Sequence, residues 1–155
     1  IADAGIDPWL SETTTKVLSS EVIPADVRVA EHLRISPGSL VYRLSRVRLV
    51  EDEPISLHTS FVPKALAQDL DADDLVNRQL CVVLENEHGL RMSRVNESLE
   101  STLPSADEAK LLRIRRTTPL LLLRQEISDP TGQEFEYSRI LFRGDKIRLE
   151  FQYEL

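Results

Sequence analysis

The sequence has a single cysteine, Cys81, so no disulfide can form within the chain. It lies in the apolar stretch LCVVL, and we expect it to be a small buried side chain rather than a reactive thiol. No apolar run approaches the ~20 residues needed to cross a bilayer. The first 15 residues also lack the basic and apolar regions of a signal peptide. These absences predict a cytoplasmic protein.

Positive charge is in the minority, with 19 Lys and Arg against 26 Asp and Glu and a formal net charge of −7. The summed field of such a chain repels phosphate backbones and anionic membrane surfaces. We therefore expect these residues to contact neither nucleic acid nor membrane. The 155 residues suffice for one domain with an ordinary core.

The usual motifs of catalysis and metal binding are also absent. His32, His58 and His88 have no His or Cys partner at ligand spacing, which argues against a metal site. There is no glycine-rich phosphate loop, nucleophile elbow or Ser-His-Asp set. We predict no cofactor, and nothing in the sequence demands catalysis.

The patterns that are present predict short helices among longer strands. Residues 1–15 are polar and aperiodic, and we interpret them as a lead-in to a domain that spans 16–155. A Ser105 N-cap followed by Glu108 predicts a helix through a capping box, and Pro24 suits the first turn of another. Further helical patterns cover 64–70 and 71–89, whereas period-two alternation predicts strands at 16–23, 40–50, 55–62, 91–103, 120–128, 134–142 and 146–153.

These strands are joined mostly by hairpin turns, with few helices between them. A parallel sheet would need longer crossover helices between successive strands. The order therefore predicts the α+β class, with a mainly antiparallel sheet that short helices cover on one face.

Two arginines lie on an otherwise apolar side of the strand at 40–50. Arg46 and Arg48 share their side with Leu44, because side chains alternate. A three-residue loop at 52–54 would place Arg48 opposite His58 and Arg46 opposite Ser60. A loop one residue longer would reverse the parity of the second strand.

Two interpretations of this arginine pair remain open. Strand arginines are commonly solvated or ion-paired, which is the default. Two guanidinium groups at i and i+2, beside a histidine and a serine, also match a bidentate site for carboxylate or phosphate.

Two acidic residues could belong to the same place. Glu97 lies in period-two register on the strand at 91–103, and Glu136 shares a side with Ser138 and Phe142. Pairing with an arginine is the default for either carboxylate. Carboxylates that oppose guanidinium groups in one cavity would instead accept hydrogen bonds from a polar, anionic metabolite.

Several short motifs follow one another along the chain. They are LxxxPGS at 33–39, RVRL at 46–49, EPI at 53–55, SFVP at 60–63, AxxL at 109–112, TPLL at 118–121, FEYS at 135–138 and FRGD at 142–145. Their order resembles the UTRA domain, the effector-binding half of the HutC branch of GntR-type bacterial transcription regulators. The resemblance covers about residues 16–153 in one unbroken order.

The resemblance implies a chorismate-lyase-like fold, an antiparallel sheet flanked by helices, and a homodimer. It also implies a small effector that alters the DNA affinity of an N-terminal winged helix-turn-helix domain, so DNA would be contacted only through a domain outside this chain. Arg46 and Arg48 match the arginine pair that contacts the effector in this family, and Glu136 matches a ligand-contacting glutamate.

This chain departs from the sugar-phosphate-binding relatives at three places. His58 stands where a glutamate is frequent, Arg78 and Gln79 stand where serines precede a helix, and the phosphate-cradling loop is reduced to Ser11 and residues 13–15. These changes favour a more strongly anionic or carboxylate-bearing effector. The alternatives are a chorismate-lyase-like enzyme and a dimerisation module without ligand. The candidate effector-binding residues are Arg46, Arg48, His58, Ser60, Glu97, Glu136, Ser138 and Phe142.

Overall fold

The computed structural model describes residues 13–70, 75–76 and 78–155. Residues 1–12 of the predicted lead-in at 1–15 lie outside these residues, as do residues 71–74 and 77 of the predicted helical stretch at 71–89. The elements are β1 (Thr13–Pro24), α1 (Val27–Leu33), β2 (Leu40–Val50), β3 (Glu53–Pro63), a 3₁₀ turn (Lys64–Leu66), α2 (Leu80–His88), β4 (Arg94–Thr102), α3 (Ala106–Leu112), β5 (Leu120–Ser128) and β6 (Glu134–Arg143).

The six strands form one sheet in the order β1-β2-β3-β6-β5-β4, and every neighbouring pair is antiparallel. This confirms the predicted α+β class and the mainly antiparallel sheet. The chain repeats one arrangement, in which a strand, a seven-residue helix and a hairpin follow one another: β1-α1-β2-β3 and then β4-α3-β5-β6. The two halves meet where β3 pairs with β6.

Helices cover both faces of the sheet, so the prediction of one covered face was wrong. Leu33 of α1 and Leu112 of α3 are fully buried against one face. Leu84 of α2 packs on the opposite face, against Tyr42 and Leu44 of β2. We call this second face, which carries the even-numbered side chains of β2, the α2 face. Both faces need cover because β2 carries Val41, Val47 and Leu49 on its odd side and Tyr42 and Leu44 on its even side.

The turn between β2 and β3 is shorter than predicted. Val50 pairs with Glu53, which leaves a two-residue loop of Glu51 and Asp52, both with positive φ (49° and 64°). Such backbone at both central positions belongs to the type I′ turn, whose twist suits a hairpin. The predicted three-residue loop at 52–54 was therefore wrong.

A bulge then corrects the parity of β3. The pairs Leu49–Pro54 and Arg48–Ser56 leave Ile55 as an extra residue. Beyond the bulge, Arg46 lies opposite His58, so both predicted pairs, Arg48–His58 and Arg46–Ser60, were wrong by two residues. The predicted face was right, because a shift of two residues leaves every side chain on its side.

The two short helices begin at side-chain caps. Ser105 Oγ accepts a hydrogen bond from the Glu108 N–H at 3.1 Å, and Glu108 Oε1 accepts one from the Ser105 N–H at 2.8 Å, as the capping box predicted. Helix α1 begins at Val27, where Asp26 caps the Val29 N–H at 2.8 Å. Pro24 ends β1 instead of starting this helix, because the cap lies two residues further on.

The last predicted strand, at 146–153, does not form within the described chain. A turn follows β6, and the Ile147 N–H donates to the Arg143 carbonyl at 3.0 Å. Both sides of β6 are already occupied, by β3 and β5. The segment therefore has no open neighbour beside the strand it follows.

Candidate ligand-binding site

A polar cavity opens on the α2 face, between the start of α2 and the middle of the sheet. The empty space, counted out to its open mouth, is about 270 Å³. Strands β2, β3, β5 and β6 form its floor, and the first turn of α2 forms one wall. The lining residues are Arg46, His58, Ser60, Gln79, Leu80, Cys81, Gln125, Glu136, Ser138 and Ile140.

The strand register brings the polar floor together. Ser60 lies opposite Ser138, which lies opposite Gln125, so one row of small polar side chains crosses three strands. The next row continues from Arg46 through His58. Along β2, Tyr42 and Leu44 pack in the cluster that contains the buried residues of α2, whereas Arg46, the next residue on that face, lines the cavity. The change from apolar to polar side chains along β2 therefore sets the position of the cavity.

His58 is buried beside both arginines. Its Nε2 lies 2.9 Å from Ser56 Oγ, and the ring of Phe142 meets it edge-on with centroids 6.4 Å apart. Burial, then the charges of Arg46 and Arg48, hold the pKa of His58 well below its ordinary value. His58 is therefore neutral at pH 7, and the positive charge of the site comes from the arginines.

A relay of hydroxyl groups joins the two halves of the sheet. Ser138 Oγ donates to Glu136 Oε2 at 2.8 Å, and Ser60 Oγ lies 2.7 Å from Ser138 Oγ. Because the Ser138 proton points to the carboxylate, Ser138 accepts the hydrogen bond from Ser60. All three side chains are buried. The relay fixes Glu136 as an acceptor at the cavity floor, one row beyond Ser138 on the side away from the Arg46 row.

Glu97 has a supporting position. Gln125, which is buried and lines the cavity, donates from Nε2 to Glu97 Oε1 at 2.9 Å. Glu97 itself lies on the edge strand β4 and is exposed. It does not line the cavity, and its carboxylate orients the Gln125 amide.

Arg48 and Phe142 also lie next to the cavity without lining it. Arg48 is half-buried and pairs with Ser56, one row beyond His58. Phe142 is fully buried and supports the His58 ring from the side. Of the eight predicted residues, Arg46, His58, Ser60, Glu136 and Ser138 are brought together around the cavity.

The wall from α2 was missed by sequence reasoning. Gln79 precedes the helix and makes no side-chain cap, and the first N–H groups of a helix have no intrahelical acceptor. This end of a helix favours negative charge. Cys81, predicted to be a buried hydrophobe, is half-buried and lines the cavity. Gln125 could have been found, because it alternates with Leu121 and Leu123 on β5.

The chain that carries this site matches the sequence model of a protein family. The model of the UTRA domain matches residues 11–148. The chain belongs to the UTRA domain family. It is thus an effector-binding domain of the type found in GntR-family transcriptional regulators, with the chorismate-lyase-like fold.

Two similar proteins agree with this UTRA assignment. The mannosyl-D-glycerate transport/metabolism system repressor MngR of Escherichia coli is 32% identical over 136 residues, which cover 86% of this chain and 55% of that protein. The transcriptional repressor NagR of Bacillus subtilis is 25% identical over 132 residues, or 85% of this chain and 54% of NagR. The chain thus spans about half the length of these relatives.

The solved effector domain of PhnF from Mycobacterium smegmatis has the same fold. It superposes with a TM-score of 0.86 at 24% identity, over 93% of this chain and 88% of the PhnF chain. MngR and NagR are both named as repressors, which agrees with the prediction that this domain is a regulatory module and not an enzyme of the chorismate-lyase type. In the part of the chain that the structure describes, no helix has the length and apolarity to cross a membrane.

Proposed function

We propose that this UTRA domain senses a small anionic metabolite in the cavity beside α2, and that binding alters DNA binding by an attached domain. The observation that carries the proposal is the placement of Arg46 on the cavity floor, where it is buried and lies opposite a neutral histidine. A guanidinium presents its N–H donors in a fixed fork, so a carboxylate or phosphate that reaches Arg46 would be bound by charge-assisted hydrogen bonds.

The opposite charges of the lining suggest the class of ligand. Arg46 and the start of α2 favour an anionic group, whereas Glu136 accepts hydrogen bonds from hydroxyl or amine groups. A sugar acid, a sugar phosphate, an amino acid or another hydroxylated carboxylate has both features. MngR is the repressor of a mannosyl-D-glycerate transport and metabolism system, and this compound carries a carboxylate, which supports a carboxylate-bearing ligand within this range.

The size of the cavity supports a metabolite rather than a large ligand. The empty space of about 270 Å³ includes the open mouth, so the enclosed part of the cavity is smaller than this volume. We infer that the anionic group enters first, toward Arg46, and that the rest of the ligand lies toward the mouth beside Gln79 and Cys81.

The proposed change in DNA binding requires a DNA-binding domain in addition to this effector-binding domain. We propose that residues 1–15 link the domain to an N-terminal winged helix-turn-helix domain in a cytoplasmic homodimer. The net charge of −7 supports contact with DNA through that other domain alone. The ligand must bind one arrangement of the dimer more tightly than another, because equal affinity for both would shift nothing.

A thermal-shift screen tests the proposed site. The panel contains sugar acids, sugar phosphates, amino acids and small dicarboxylates, each at several concentrations. A ligand at 100 times its Kd stabilises the fold by about 2.7 kcal/mol, which is readily measured. The double variant Arg46→Ala/Arg48→Ala should abolish the shift.

The matched control is Arg43→Ala, which removes an arginine from the same strand but from its opposite face, where it pairs with Glu21. A shift that persists in the double variant would refute the site. No shift with any compound would favour the alternative of a dimerisation module without ligand.

A further inference from the structure

A row of polar side chains crosses the sheet on the face that α1 and α3 cover. The strand register places five residues in this row, one from each of the strands β2 to β6. In sheet order they are Ser45, Thr59, Arg139, Arg124 and Ser98. We call these five residues the polar row. Its two charged members, Arg139 and Arg124, lie directly opposite each other.

The polar row lies between the contact areas of the two helices. The next row on one side contains Phe61 and Tyr137, and Tyr137 packs in the same cluster as the buried residues of α1. The next row on the other side contains Leu57 and Leu141, which pack with Leu112 of α3. The members of the polar row from β2, β3, β5 and β6 are half-buried. The row is therefore flanked by both helices and stays partly open to solvent.

The two arginines meet where β5 pairs with β6. Residues directly opposite in an antiparallel pair have Cβ atoms about 4.5–5.5 Å apart, and like charges at such positions destabilise the pair. An anion between the two guanidinium groups would replace this repulsion with two charge-assisted contacts. Arg139 and Arg124 are thus placed to share one anionic group.

The carboxylates of the neighbouring rows already have other cationic partners. Glu100, one row to the α3 side, accepts a hydrogen bond from Arg124. Glu126, one row to the α1 side, lies with its Oε1 2.6 Å from His32 Nδ1. Within the part of the chain that the structure describes, Arg139 has neither a hydrogen bond nor an ion pair. Its fork of donors is therefore available to a ligand.

We propose that the polar row binds the phosphate group of a small metabolite, at a site between Arg139 and Arg124. Arg139 presents a fork for two oxygens. Arg124 uses Nη1 for Glu100 and keeps further N–H donors, and Thr59 places a hydroxyl group on the other side of Arg139. These donors outnumber the two oxygens of a carboxylate and suit the three terminal oxygens of a phosphate group.

This phosphate site is separate from the ligand-binding cavity, although the same strands carry both. Thr59 lies between His58 and Ser60 in β3, and Arg139 follows Ser138 in β6. Because side chains alternate, the cavity residues lie on the α2 face and the polar row lies on the opposite face. A phosphate at the polar row would lie back to back with a ligand in the cavity. The proposal does not depend on the function proposed for that cavity.

Titration with inorganic phosphate, followed by NMR of the arginine Nε–Hε signals, tests the site. Ionic strength is held constant with chloride, because salt screens exposed charges. The signals of Arg139 and Arg124 should shift together along one saturable curve, and acetate at equal concentration should shift them far less. The internal control is Arg43, which lies on the same face and pairs with Glu21. Equal saturable shifts with acetate would overturn the assignment to phosphate.

Single variants then locate the bound phosphate. Arg139→Gln should weaken binding roughly tenfold by removing the fork, and Thr59→Val should weaken it about threefold by removing one hydroxyl donor. Arg139→Gln should remain folded, because the change also removes a like-charge pair, and urea unfolding checks this. Unchanged phosphate affinity in folded Arg139→Gln would overturn the proposal.

A variant of the cavity distinguishes the two sites. Arg46→Ala removes the cation that lines the cavity, so an Arg139 shift that persists in this variant belongs to the polar row. Disappearance of the shift in Arg46→Ala would overturn the proposal, because the phosphate would then be bound in the cavity. A shift of Arg139 that never saturates would also overturn it, because that behaviour indicates screening and not a site.

Discussion

Arg46 and His58 face each other across the β2–β3 pair, and burial, followed by the charges of Arg46 and Arg48, lowers the pKa of His58. The pairing depends on the bulge at Ile55, because without the extra residue the two side chains would lie on opposite faces. A local irregularity near a hairpin turn therefore assembles the centre of the site. Each of the predictions below tests one physical part of this arrangement.

The first prediction concerns stability against pH. Because the pKa of His58 is lowered in the folded state, the unfolded chain takes up a proton below about pH 6.5 that the folded chain does not. Stability should therefore fall as the pH decreases from 7 to 5.5. His58→Gln should remove about 1 kcal/mol of this loss.

Urea unfolding at both pH values measures the difference. His88→Gln, at the end of α2, is the control for removal of a histidine elsewhere. If His58→Gln loses as much stability on acidification as the unchanged chain, His58 does not stay neutral in the folded state.

The second prediction separates the two arginines. Arg46 lines the cavity and Arg48 does not, so Arg46→Lys should weaken ligand binding roughly tenfold by removing the bidentate fork. Arg48→Lys should change the affinity less. Isothermal titration with the compound found by the screen gives both values, with Arg43→Lys as the control. A larger effect at Arg48 would move the anion site one row toward Ser56.

The third prediction concerns the hydroxyl relay. Ser138→Ala removes the donor to Glu136 Oε2 and the acceptor of the Ser60 proton. Leaving a buried carboxylate with one donor fewer should cost about 1–3 kcal/mol of stability. Ser98→Ala on the exposed edge strand should cost little. Urea unfolding compares the two, and an equal effect would show that the relay does not stabilise the fold.

The fourth prediction concerns the turn that sets the register. Glu51 and Asp52 both have positive φ, a region that asparagine occupies more readily than glutamate and that glycine occupies at the least steric cost. Glu51→Asn/Asp52→Gly should raise the unfolding free energy by about 1 kcal/mol. Glu51→Ala/Asp52→Ala keeps the unfavourable backbone and serves as the control. A stability gain with the alanines alone would point to charge rather than backbone strain.

Local patterns predicted much of the fold. The alternation along β2 and β5 gave the ends of both strands, and the capping box gave the start of α3. These features depend on residues close together in the sequence. The fold class followed from them, because the connections between strands are short.

Long-range features of the site were less accessible. The positive φ values at Glu51 and Asp52 run against the ordinary preference of these residues, so the acidic Asp-Glu-Pro stretch was taken for the loop. The position of α2 over the sheet depends on tertiary packing, which is why Gln79 and Cys81 were not assigned to the site. For the C-terminal segment the alternation is present, but a strand also needs a partner.

The repeated strand-helix-hairpin arrangement has a consequence for the site. The described sheet consists of two matching halves that are joined where β3 pairs with β6, and there Ser60 of the first half lies opposite Ser138 of the second. The cavity extends across this strand pair, and Arg46 comes from one half whereas Glu136 comes from the other. A bound metabolite would thus contact both halves and stabilise the β3–β6 strand pair that joins them.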